Sequence, residues 1–96
     1  MSNKKVVQID GKDCTLSGLK LKELKSFFRI QRDILASNET TMEEKIDGML
    51  DIVALGLKSE HPDVTAIVLG DMLEYNDAND FVKIIGSLSG LKMGGD

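Results

Sequence analysis

Few side chains in this 96-residue chain could do chemistry, and they are scattered. Cys14 and His61 are the lone cysteine and histidine. No nucleophile has a base beside it in the sequence, and general acid–base work has one imidazole to draw on. His61 stands between Glu60 and Pro62-Asp63 with no second nitrogen or sulfur ligand nearby, so it reads as a surface histidine at a turn, not a metal ligand. Asp10-Gly11-Lys12-Asp13 offers two carboxylates but lacks calcium-loop spacing. Glu43-Glu44 is explained by helix capping. Gly70-Asp71 follows an apolar run, as a phosphate or metal site in an α/β protein would, but brings no further ligands. There is no Walker-type loop, dinucleotide fingerprint or zinc spacing. An acyl-carrier attachment site needs Asp-Ser-Leu, and Gly70-Asp71-Met72-Leu73 puts Met72 where the serine must be. The expectation is a non-enzymatic interaction module with no catalytic, cofactor or metal site.

One pattern does suggest binding. Lys22, Lys25, Arg29 and Arg32 recur at intervals of three, four and three, which on a helix makes one cationic stripe. The same segment carries Leu21, Leu24, Phe27, Phe28, Gln31, Ile34 and Leu35 as a broad helical face. The stripe is expected on the side away from Leu24, Phe28 and Leu35. Its functional reading is a contact for an acidic or helical partner; its bland reading is a solvated helix back.

Composition narrows the class. A chain this short makes one domain with a modest core, and 42% hydrophobic residues suffice to fold it. With no Trp, one Tyr and three Phe, that core must be built from Leu, Ile, Val and five Met. A net charge of −4 argues against nonspecific nucleic-acid binding. Nine basic and eight acidic residues precede position 49, and three basic and eight acidic follow, leaving about +1 and −5. Such asymmetry suits head-to-tail self-association as well as merely different solvated surfaces. A single cysteine forms no internal disulfide and points to a reducing compartment. Met1 to Lys5 is polar, unlike a secretory signal, and no apolar run approaches membrane-spanning length. The expected location is the cytoplasm.

The elements follow from caps and periodicity. Val6, Val7 and Ile9, then Asp10-Gly11, then Cys14-Thr15-Leu16 read as a β-hairpin, too short to stand without helices against it. Helices are expected near 19–36, 41–58, 63–74 and 77–89. Thr40 with Glu43 and Thr41 with Glu44 both match a capping box. Met42, Ile46, Met49, Leu50, Val53 and Leu57 make one apolar stripe, with Ile52 and Leu55 on another side near Gly48. A helix apolar on two sides belongs at the centre, and Gly48 and Gly56 imply close neighbours. Val64 to Leu69 fits a buried strand or a helix. Helix is favoured, because a parallel strand has only Val6 to Ile9 to pair with. Asn76 and Asp77 both suit an N-cap for the last helix, with Phe81, Ile84, Ile85 and Leu88 as its face and Ser89-Gly90 as its stop. The fold class expected is mainly α: a small bundle of about four helices with an N-terminal hairpin, spanning 1–90, then a flexible Gly-rich tail at 91–96.

The order of a short β-rich start, LKLKELKSFFRIQRD, a middle helix, PDVTAIVLGDMLEYNDANDFVKIIGSLSG and a Gly-rich end resembles the tail assembly chaperones of long-tailed bacteriophages and prophages. The resemblance covers most of the chain and lies in pattern and order. It implies a partner, the tape-measure protein, whose long helix sets tail length and which such a chaperone keeps soluble until tail tube subunits polymerise around it. The residues themselves call for no cofactor and for no membrane, nucleic-acid or small-molecule partner. The other class the residues allow is a small helical adaptor or regulatory domain that binds a protein without chaperoning it.

Overall fold

The computed structural model describes residues 3–91. The chain opens with β1 (Lys4–Ile9) and β2 (Lys12–Ser17), antiparallel, with Ile9 opposite Lys12 across a two-residue loop. Asp10 and Gly11 take φ of 54° and 78°, the backbone a primed two-residue turn demands and Asp-Gly supplies at little cost. Pairing Val7 with Cys14 and Lys5 with Leu16 puts Val7, Ile9, Cys14 and Leu16 toward the core, while Val6 stays exposed on the outer face.

Among the described residues four α-helices follow: α1 (Leu21–Ile30), α2 (Met42–Leu57), α3 (Ala66–Gly70) and α4 (Tyr75–Leu88). α2 is central, packing against α1, α3, α4 and β2. Its start settles the choice between the two threonines. Thr41 Oγ1 accepts from the Glu44 N–H (3.1 Å) and the Glu44 carboxylate accepts from the Thr41 N–H (2.9 Å). Those bonds hold the Glu44 carboxyl below its usual range. The two glycines are where neighbours come close. A methyl at Gly48 would lie 3.0 Å from Ile30 Cγ2, and one at Gly56 would lie 2.7 Å from Ile85 Cγ1.

Several expectations need correcting. The segment expected at 19–36 begins at Leu21, and Gln31–Leu35 is wound as a π-helix, closed by Ala36 N–H to Gln31 C=O (2.8 Å). The buried face of α2 runs through Met49, Ile52, Val53 and Leu57, so Ile52 is core, while Met42 and Ile46 are exposed. Val64 to Leu69 is no strand: Thr65 caps α3 by accepting from the Val68 N–H (3.3 Å). The helix is far shorter than 63–74, with Leu69 alone fully buried on it. α4 starts ahead of Asn76 and Asp77, from an extended Glu74, so neither residue is the N-cap. Asp77 lies in the first turn, where its charge suits the dipole. The stop at Ser89-Gly90 forms as read. Gly90 takes φ of 91°, Leu91 N–H reaches Gly86 C=O (2.9 Å), and Gly90 N–H reaches Ser87 C=O (3.0 Å), a Schellman closure. The expected tail lies outside the described residues from position 92 onward.

Helices account for a little over half of the described residues, but a bundle of helices alone is too narrow a description. Ile9 and Leu16 of the hairpin join Phe27, Met49, Ile52, Val53, Leu57, Leu69, Phe81, Val82 and Ile85 in one core. The hairpin thus forms a wall of the domain, docked on α2 and α4 through β2.

Candidate functional site

All four stripe cations, Lys22, Lys25, Arg29 and Arg32, are exposed along α1 and the start of the π turn. Arg32 is engaged locally: its guanidinium donates to both oxygens of Asp33 (2.7 and 3.2 Å). The contact raises the Arg32 pKa and lowers that of Asp33, on a fully solvated pair that contributes little to stability. Among the described residues no carboxylate lies within ion-pair distance of Lys22, Lys25 or Arg29.

The apolar side of this site differs from expectation. Phe28 is 49% exposed and Leu21 81%, whereas Phe27 is buried. Phe28 lies three residues after Lys25 and four before Arg32, so it shares their flank and does not oppose it. The edge of its ring meets Phe27 at 5.8 Å between centroids and 75° between planes. Phe27 anchors the helix while Phe28 stays outside. The result is a mixed surface, Leu21 and Phe28 bordered by four cations. Burying such side chains against a partner's apolar face would remove them from water at about 25 cal/mol per Å².

A second surface was not apparent from the sequence. Asp47 and Asp51 on α2 and Asp71 after α3 line an open concavity of about 540 Å³ with Leu50, Ala66, Ile67 and Gly70. Ile67 at its rim is 85% exposed. Partial burial, then the neighbouring Asp47, push the Asp51 carboxyl above its usual range. The signal was in the sequence, since Asp47 and Asp51 are four apart on a helix. Their link to Asp71 depends on how α3 folds back. Among the described residues no group of three His, Cys, Asp or Glu side chains could hold a metal ion.

His61 and Lys45 have structural work that spacing did not disclose. His61 is half-buried, and its Nε2 accepts from the Thr15 backbone N–H (3.0 Å). It ties β2 to the loop after α2, beside the Lys4–Glu60 ion pair, which holds the Glu60 carboxyl below its usual range. Lys45 Nζ donates to the carbonyls of Ser37 (2.6 Å) and Ile34 (3.2 Å), placing a cation on carbonyls freed at the end of the π turn. Cys14 is a half-buried free thiol on the inner face of the hairpin. No helix among the described residues is long and apolar enough to cross a membrane. The chain matches no protein-family model, no curated protein and no solved structure.

Proposed function

We propose that this protein is a non-enzymatic protein-binding module that acts as a phage tail assembly chaperone, holding a tape-measure protein soluble in the host cytoplasm until tail tube subunits replace it. The observation that carries the reading is the surface of α1, where Leu21 and Phe28 are left to solvent among Lys22, Lys25, Arg29 and Arg32. An amphipathic helix with acidic flanks would cover the apolar pair and meet the cations, and opposite charge would speed its capture. Sheltering such a helix prevents its apolar stripe from driving aggregation. Modest affinity per site suits a holder that must let go, and several copies along one long partner raise occupancy without tight individual contacts. In this reading α2 is the helical scaffold that holds the α1 surface in place, with the hairpin as its brace.

The test is co-expression with the tape-measure protein, scored by the soluble fraction of that partner. Capture is then measured across a salt series for the wild type and for Lys22→Glu, Lys25→Glu, Arg29→Glu and Arg32→Glu combined. Capture should weaken mainly through association rate, most at low salt, with the circular dichroism of the isolated domain unchanged. Equal capture by both proteins at low salt would discard the α1 surface as the site.

A further inference from the structure

Where α1 gives way to the π turn, that turn, α2 and α4 border a cavity of about 290 Å³. Its apolar lining is Leu35 of the π turn, Met49 of α2 and Val82 of α4, the last two buried. Gln31, Asn79 and Lys83 line it as well, and among the described residues none of these three side chains has a hydrogen-bond or ion-pair partner. Gln31 and Asn79 are both half-buried, and polar groups withdrawn from water are normally paired. Lys45 also reaches the lining, but its ammonium donates to the Ile34 and Ser37 carbonyls and to Thr40 Oγ1 (3.2, 2.6 and 2.5 Å), so all three of its protons are engaged. The charge of Lys45 remains. Lys83 is the one cation of α4, and among the described residues no carboxylate lines the cavity. The site is therefore positive, apolar at its floor and supplied with unused donors. Just below the about 300–1,000 Å³ typical of small-molecule pockets, the volume suits one large side chain better than a cofactor.

We propose that this cavity is the anchor pocket for the partner's helix. One large apolar side chain of that helix seats on Leu35, Met49 and Val82, and a carboxylate beside it meets Lys83 and the amides of Gln31 and Asn79. The inference rests on the reading of α1 as the partner surface. Gln31 follows Phe28 by three residues, so the cavity lies one turn beyond that surface, and a helix lying on Leu21 and Phe28 reaches it by continuing. Charge complementarity commits the occupant to an acidic segment, since a basic one would bring like charge against Lys45 and Lys83. A pocket with an apolar floor and a polar rim is where binding energy concentrates, because the rim keeps water from the seated side chain. The two parts of the surface then act on different rates. The α1 cations govern how fast the partner arrives, and the cavity governs how long it stays.

Capture of the co-expressed tape-measure protein, followed by its rate of release from the purified complex, tests this with three variants. Asn79→Phe fills the cavity from its α4 wall, Lys83→Glu reverses the charge at the rim, and Lys83→Arg keeps it. Circular dichroism and urea unfolding establish that each is folded. Asn79→Phe should speed release by at least about tenfold at every salt concentration, while association changes by less than about twofold. Lys83→Glu should speed release by about fivefold or more, and Lys83→Arg should hold the partner as wild type does. If Asn79→Phe does not fold, Lys83→Glu decides alone. Release from Asn79→Phe within about twofold of wild type, or from Lys83→Glu as slow as from wild type, would overturn the proposal and leave capture by α1 standing. A wild type that captures no tape-measure protein would instead refute the reading of α1, and the anchor pocket with it.

Discussion

Replacing Gly56 with alanine sets two known effects against each other at a position where the structure says which prevails. In a solvent-facing helix the change stabilises by about 1 kcal/mol, because alanine loses less backbone freedom on folding. Here the added methyl would lie 2.7 Å from Ile85 Cγ1, nearly 1 Å inside ordinary contact. Ile85 is fully buried and, being β-branched, stiff at χ1, so Cγ1 can give way only by disturbing the core around it. Overpacking of this kind costs about 1–3 kcal/mol, leaving Gly56→Ala about 1 kcal/mol less stable than wild type. Ile85→Ala removes the obstructing atoms at a cost of about 3 kcal/mol. In that background the methyl has space, and Gly56→Ala should stabilise by about 1 kcal/mol. The substitution thus changes sign with its neighbour, a coupling of about 2 kcal/mol in a double-mutant cycle. Urea denaturation of the four proteins, followed by circular dichroism, measures it. Equal effects of Gly56→Ala in both backgrounds would show that α2 and α4 do not meet at this point. Gly48→Ala, whose methyl would lie 3.0 Å from Ile30 and 3.2 Å from Ile34, should be close to neutral in the same assay.

Three further outcomes are expected. Val53→Asp puts an unpaired charge at a fully buried site on the central helix and should abolish cooperative thermal unfolding, because the cost approaches the whole stability of a small domain. Asp51→Asn should raise the melting temperature at neutral pH. The folded-state pKa of Asp51 lies above the usual carboxylate value, so its contribution is present in acid and lost as pH rises through that raised value; the variant's advantage should vanish in acid. His61→Ala removes the acceptor of the Thr15 N–H and should cost about 1 kcal/mol, with faster hydrogen exchange at that amide; unchanged exchange would mean the bond is not maintained in solution.

The legible parts of the chain were those whose chemistry is local. Asp10-Gly11 and the Thr41–Glu44 box announce themselves because a turn type or a cap is set within four residues. Gly48 and Gly56 could be read as close approaches, but not what approaches them, since Ile30, Ile34 and Ile85 arrive from other helices. Phe28 sits at the margin of a wide apolar stripe, and which margin is buried depends on the neighbour and not on the spacing. The start of α4 was missed because Glu74 takes the N-cap place without a side-chain bond to mark it. Of the candidate sites, the cationic stripe lies on one helix and was visible as a period. The acidic concavity gathers residues from α2 and the end of α3, and only the return of α3 onto α2 assembles it.

The Leu19 N–H donates to Ser89 Oγ (2.7 Å), which in turn donates to the Ile85 carbonyl (2.7 Å). The segment leaving the hairpin is therefore stitched to the last turn of the last helix, 70 residues later. On a ribosome adding about 5–20 residues per second, the hairpin would wait roughly 4–14 s for that partner to be made, and longer for it to clear the exit tunnel. Until then β2, which carries Leu16, lacks the α4 surface it packs against in the finished domain. The core of this domain therefore stays unfinished until Ser89 has been made, and only then can the hairpin exit be tied to α4.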